Sequence, residues 1–395
     1  MFSIPKFHQS AGVLFLALTA FAIGLGESRA GDGGFSPKLS GNLAVEVQND
    51  FAFSSDDPAE EFNNLTTKIE PGLKLTLTDR LSVNAGLVVQ QVQSPPVAGD
   101  DRVFDDQGFF VEVLTLDYEA GPVHLFGGKM HVNFAKAWDV TPGVYGTDLA
   151  EEYEMAENIG LGGAYSFDFG QGGTHALGAQ TFFLDTSGLA ESAFTRRKKT
   201  READGGPGNT GDFSLFAVSL DGGDIPALKG FSYHAAYVHH ANDTVGAENE
   251  SRFAVYGAYE FTLPGDITAQ PLLEFVRFDD ADGTKGQDRT YLTAALGLGL
   301  GDWNMAISGT FKETEAADGT ETLEENLQVS AGYAFPNGIA LDVAYKRARN
   351  AGVDTDVFGT LLTYGLEFKP LKSNWREIDM LKDNLTVVID GGLDV

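Results

Sequence analysis

The chain contains no cysteine. That absence excludes disulfides, thiolate metal centres and cysteine nucleophiles. Bases are scarce as well: 27 Lys and Arg stand against 57 Asp and Glu, for a formal net charge of −30. Such a chain lacks the basic face that phosphate neutralisation requires, so a nucleic-acid partner is excluded. Long apolar runs are missing beyond residue 30. The best later candidate, Leu292 to Leu300, is short and broken by glycine, and a helix cannot cross a bilayer there. Hydrophobic residues still make up 43% of the chain, too many for wholesale disorder.

The one apolar run opens the chain. Lys6 and His8 precede Ala11 to Leu25, and Ser28-Arg29-Ala30 follows with small residues three and one before a cut. That order reads as a signal peptide over 1–30, removed on export. What remains is either a soluble β protein or a chain that spans a membrane as a closed barrel.

Alternation fills the rest. Leu39, Gly41, Leu43, Val45 and Val47 alternate with Ser40, Asn42, Ala44, Glu46 and Gln48. Leu327, Val329, Ala331, Tyr333 and Phe335 do the same late in the chain. Period two with one apolar and one polar face means strands, and about sixteen such segments run from 38–50 to 356–368. Those at 109–118, 174–184 and 212–221 alternate poorly. The connections alternate too. Short ones such as Pro264-Gly265, Gly301-Asp302 and Pro336-Asn337-Gly338 carry hairpin chemistry. Long ones fall at 51–64, 93–108, 131–157, 185–211, 241–250, 279–288, 315–322 and 350–355. All short turns then lie at one end of the sheet and all long loops at the other. A sandwich gives no reason for this; a transmembrane barrel does. Aromatics gather at strand ends, among them Trp303, Tyr333, Phe335, Tyr259 and Phe261, as two interfacial girdles require. The fold class read here is all-β: a transmembrane antiparallel β-barrel of about sixteen strands, with short periplasmic turns and long extracellular loops.

If apolar residues face lipid, the other parity lines the lumen. It carries acids such as Glu46, Glu70 and Glu274 and the bases Lys68, Lys74, Arg252, Arg289, Lys312 and Lys346. An unbroken polar interior in so wide a barrel leaves a water-filled channel. The third long loop, 131–157, is too apolar to float, with Phe134, Trp138, Val140, Val144, Tyr145 and Leu149. It also holds six carboxylates: Asp139, Asp148, Glu151, Glu152, Glu154 and Glu157. A packing side and a wet acidic side suit a loop folded into the barrel mouth, and carboxylates at a constriction favour cations. A surface loop with a solvated acidic rim is the competing reading.

Here the sequence resembles a family. The signal peptide, the strands, and the fragment from Gly128-Lys129 through Trp138-Asp139 to Pro142-Gly143-Val144-Tyr145-Gly146-Thr147-Asp148-Leu149-Ala150-Glu151-Glu152-Tyr153-Glu154 resemble Gram-negative outer-membrane porins, specifically alphaproteobacterial general porins. The likeness covers 31–369. It implies a homotrimer, outer-membrane lipid and lipopolysaccharide as surroundings, small hydrophilic solutes as cargo, and a third loop that narrows the pore. One departure stands out. In such proteins the last strand closes the chain with an aromatic, whereas here Phe368 is followed by residues 370–395, read as a tail or as an extra strand through Leu385 to Ile389.

Other motifs carry less. Arg196-Arg197-Lys198-Lys199-Thr200-Arg201 either meets lipopolysaccharide phosphates or anionic solutes, or forms a solvated arm. His239-His240 point to opposite faces of a strand and do not share a metal. Asp280-Ala281-Asp282-Gly283 lacks the rest of a calcium-loop pattern. Gly297-Leu298-Gly299-Leu300-Gly301 follows no strand-to-helix pattern, so it is barrel wall rather than a dinucleotide fingerprint. No cofactor, metal or enzymatic activity is expected. The function expected is passive diffusion of small hydrophilic solutes and ions with a preference for cations. A substrate-specific channel of siderophore or phosphate type, an outer-membrane barrel enzyme and a secreted soluble β protein are the rivals.

Overall fold

A computed structural model describes residues 37–94 and 99–368. The signal peptide read over 1–30 and the tail read over 370–395 lie outside those residues. Sixteen strands build a closed antiparallel barrel. The first eight are β1 Lys38–Ser55, β2 Asn63–Thr76, β3 Leu81–Gln91, β4 Gln107–Ala120, β5 Val123–Met130, β6 Asn158–Asp168, β7 Thr174–Leu184 and β8 Leu215–Gly223. Then come β9 Phe231–His240, β10 Glu250–Tyr259 with its continuation Phe261–Leu263, β11 Ile267–Asp279, β12 Asp288–Leu300, β13 Trp303–Glu315, β14 Glu321–Ala334, β15 Ile339–Asn350 and β16 Val353–Phe368. Each pairs with its neighbours in sequence, and β1 closes onto β16 from Gly41↔Phe368 to Ser55↔Thr355. Among the described residues no helix is long and apolar enough to cross a membrane.

The outer face is what makes this a membrane wall. On β13, Met305, Ile307 and Phe311 are exposed while Ala306, Ser308 and Thr310 are buried inward. On β14, Leu327 and Val329 face out and Asn326, Gln328 and Ser330 face in. A continuous apolar exterior of this kind suits hydrocarbon, not water. Aromatic rings pair at the turn end of the wall. Trp303 meets Tyr333 at 4.8 Å, Tyr333 meets Phe335 at 5.0 Å, and Tyr259 meets Phe261 at 5.6 Å between centroids.

Two expectations change. The loop read over 350–355 is a two-residue turn, with Ala351 and Gly352 at φ 49° and 83°. Asp354, placed in that loop, belongs to β16 together with Asp356. They oppose Arg349 and Arg347 in register, with ion pairs of 2.6 Å for Arg349–Asp354 and 2.8 Å for Arg347–Asp354. The interior, second, is not polar throughout. Phe182, Leu215, Ala217, Ala236, Val238, Ala254, Val276 and Tyr291 form an apolar patch on the inner wall of β7–β12, beneath the 131–157 segment. Small side chains at Ala217, Ala236 and Ala254 leave room for that segment to lie close against the wall.

Candidate functional site

Segment 131–157 packs by its apolar side. Val132, Phe134, Ala135, Ala137, Ala150, Tyr153 and Met155 are buried against the inner patch. The segment contains one short helix, α1 (Ala137–Val140), and a 3-10 turn over Ala150–Tyr153. Helix α1 has no side-chain cap of its own. Glu274 of β11 supplies one from across the lumen: its carboxylate accepts the N–H of Lys136 at 2.7 Å and of Ala137 at 3.0 Å. It also accepts the Tyr153 hydroxyl at 2.7 Å. A buried carboxylate is tolerated when donors of this kind surround it, and orphan helix donors are satisfied in the same stroke.

Further bonds carry the segment along the wall and back. The Asn133 N–H donates to Gln180 Oε1 at 2.8 Å, and its side-chain Nδ2 donates to Ser219 and Asp221. The imidazole of His234 meets the Phe134 carbonyl at 2.9 Å. Gln328 donates to the Pro142 carbonyl and Asn326 to the Tyr145 carbonyl. The Tyr145 hydroxyl donates to Asp50 of β1 at 2.6 Å. Tyr145 reaches this far because residue 359 of β16 is glycine; a Cβ there would sit 2.0 Å from the hydroxyl oxygen. These wall residues lie within strands, not at their rims, so the segment is inside the barrel. It meets β4 where His131 approaches Glu112 at 3.8 Å, and among the described residues no ion pair joins it to β2 or β3.

The six carboxylates of the segment divide into two sets. Asp148 pairs with Lys346 at 2.7 Å, and Glu152 with Lys312 at 2.7 Å. Glu157 is turned to Lys129 at 2.7 Å and to Arg197, which binds it through two nitrogens. These three anchor the segment. Asp139, Glu151 and Glu154 form no ion pair with a lysine or arginine among the described residues. Glu154 lies within electrostatic reach of Glu112, Glu151, Lys68 and Asp139, and Glu46 within reach of Lys68, Glu70 and Glu151. Burial, with Glu112 next in importance, pushes the Glu154 carboxyl up to about 7. Burial also raises Glu151, with Asp148 adding to it.

The lumenal bases divide in the same way. Lys312 and Lys346 are consumed by the segment, and Lys346 also lies 4.1 Å from the Tyr145 ring centre. Arg252 binds Glu250 and stacks 4.2 Å from the Phe278 ring centre, and Arg289 binds Asp282 at 2.6 Å. Lys74 lies 3.6 Å from Glu119. Only Lys68, paired with Glu70 at 2.9 Å, faces the free carboxylates. His239 and His240 do take opposite faces: His240 is buried beside Glu250 while His239 stacks on Phe216.

The basic stretch is not a free arm throughout. Arg197 is tucked under the loop with its guanidinium 3.9 Å from the Phe110 ring centre, and Lys199 donates to the Ser187 carbonyl at 2.9 Å. Several residues of the site escaped notice in the sequence. Lys129, fully buried between Glu157 and Asp185, reads as one more strand residue. Glu112 escaped because a bulge sets its direction. Gly86 opposes Val113 and Leu87 opposes Val111, so Glu112 is the extra residue, and the faces of β4 exchange there.

No family model matches the sequence, and neither does any curated protein. Solved structures do resemble it. OmpF of Salmonella typhi, determined with daunomycin, aligns over 84% of this chain and 98% of its own at 13% identity, with a TM-score of 0.55. The outer membrane channel DcaP of Acinetobacter baumannii aligns over 85% and 98% at 11% identity and 0.51. OmpT of Vibrio cholerae, in a trimer form, aligns over 84% and 100% at 12% identity and 0.50. At such identities the likeness is one of fold: the barrel of outer-membrane porins and channels.

Proposed function

We propose that the chain is a Gram-negative outer-membrane porin, a passive channel for small hydrophilic solutes and ions that prefers cations. One observation carries this reading. Segment 131–157 lies inside the barrel against the wall of β7–β16 and β1, and what it leaves open is bounded by Asp139, Glu151 and Glu154 on one side and Glu46, Glu70, Glu112 and Lys68 on the other. Carboxylates outnumber bases around that opening, and a narrow, partly desolvated passage weakens the screening that water gives them.

The paired bases favour diffusion over specific anion transport. A phosphate- or siderophore-type channel needs a run of free positive charge along its wall, and here Lys312, Lys346, Arg252 and Arg289 are each bound to a carboxylate. The short turns would face the periplasm and the long loops the exterior. The same reading makes the protein a trimer, which non-denaturing electrophoresis of the unheated protein would show.

The test is electrical. Full-length protein refolded in detergent and added to a planar bilayer should give discrete current steps. Under a KCl gradient its reversal potential should have the sign of potassium permeation. Absence of steps from a correctly folded barrel would defeat the channel assignment; a chloride-signed potential would defeat the cation preference.

A further inference from the structure

Beside the opening stands a group of side chains that ion conduction does not require. Glu112 of β4, His131 at the start of the inward segment and Glu154 near its end each present one ligand atom, and these atoms all lie within 4.8 Å of one another. Glu112 Oε2 is 3.8 Å from His131 Nε2, and Glu154 Oε1 is 3.7 Å from His131 Nδ1. We propose that Glu112, His131 and Glu154 form a binding site for a divalent first-row metal ion of the zinc type, placed in the channel opening.

Three observations converge on this site. His131 Nε2 is buried and has no hydrogen-bond partner among the described residues. A buried ring nitrogen without a partner is costly, and a metal ion satisfies it. The two carboxylates, secondly, carry no hydrogen bond or ion pair other than their approach to His131 among the described residues. Like charges drawn together repel one another, Lys68 and Lys129 act on them without forming an ion pair, and a dication between them removes that repulsion. The bulge at Glu112, finally, turns its side chain toward the loop, a common use of bulges beside functional sites.

The donor set decides the class of ion. One imidazole nitrogen with two carboxylates suits zinc and its neighbours; magnesium and calcium prefer oxygen alone. Metal–ligand bonds of about 2.0–2.2 Å place tetrahedral ligand atoms about 3.3 Å apart. The imidazole offers one ion a single nitrogen, so from ligand atoms within 4.8 Å of one another both carboxylates have to close on that nitrogen, and water from the lumen completes the shell. Trp138, 5.9 Å from the imidazole between ring centres, limits how far His131 can swing away. An ion held here adds two positive charges to the acidic side of the opening, so it should reduce the potassium current.

The current readout rests on the channel reading; the binding readout does not. Zinc chloride is titrated calorimetrically into the folded full-length barrel in detergent, and separately added to the bilayer. Wild type should bind one zinc per chain at this site. His131→Ala should weaken that binding by at least about tenfold, as should the Glu112→Gln, Glu154→Gln double variant. Each variant is first shown to be folded by its heat-dependent shift in electrophoresis. Magnesium at equal concentration should not displace the zinc, and zinc should lower the wild-type current but not that of His131→Ala. Equal zinc affinity in wild type and His131→Ala overturns the site, as does displacement by magnesium. Currents with no His131-dependent binding defeat the site and leave the channel standing. His131-dependent binding without any current upholds the site and defeats the channel.

Discussion

Replacing Glu274 by alanine should free the inward segment and raise the single-channel conductance above the wild-type level. Glu274 is the one wall residue that receives three donors from the segment: the amides of Lys136 and Ala137 and the hydroxyl of Tyr153. Removing it takes the acceptor from the two amides at the start of α1 and leaves the Tyr153 hydroxyl only Thr293 at 3.5 Å. Each buried donor left unpaired costs about 1–3 kcal/mol, with water from the lumen moderating the loss. The apolar packing of Phe134, Ala137 and Tyr153 remains, so the barrel itself should still form and still shift on heating. Proteolysis reads the release directly. Lys136 is the only basic residue between 131 and 157, and trypsin should cut there in Glu274→Ala while sparing wild type. Glu274→Gln keeps one acceptor oxygen and should fall between the two. A variant with unaltered conductance and an intact Lys136 would show that the segment is held by packing alone.

The strands were legible because the membrane enforces their pattern: one face in lipid, the other wet. Legibility failed where that rule lapses. Strands β7 and β8 alternate poorly because their inner face is also apolar. Phe182, Leu215 and Ala217 lie under the inward segment while Phe216 and Val218 face lipid. Strand β4 alternates poorly because the bulge at Glu112 exchanges its faces midway, leaving Phe110 buried before it and Leu114 and Leu116 exposed after it. The 131–157 segment announced itself by mixing aromatics with acids. Which of those acids would be paired was not readable, since the partners Lys129, Lys312 and Lys346 come from distant strands. The same holds for Arg197, which leaves its basic run to bind Glu157. Charge runs in sequence describe composition; ion pairs are decided by where the chain returns.

That division of the acids sets the second large effect expected. Asp139→Asn, Glu151→Gln and Glu154→Gln combined should move the reversal potential under a KCl gradient strongly toward zero. The three removed charges face Glu46, Glu70, Glu112 and Lys68. Without them, three wall carboxylates remain against one lysine, and Glu70 is already bound to that lysine at 2.9 Å. Unit charges about 4 Å from a passing ion act with about 4 kcal/mol at an effective dielectric of about 20, so losing three of them is a large change. Asp139 and Glu151 should account for more of it than Glu154, whose carboxyl titrates at about 7. Salt should shrink the wild-type preference, because the screening length falls from about 10 Å at 0.1 M to about 3 Å at 1 M. The control removes charge without changing its sum: Asp148→Asn with Lys346→Met deletes one anchoring pair. It loosens the tip of the segment but leaves the net charge of the lumen as it was, so the reversal potential should hold. If the triple variant keeps the wild-type potential while this pair variant shifts it, ions pass on the other side of the segment, and the opening lined by Glu46, Glu70 and Glu112 is not the conducting path.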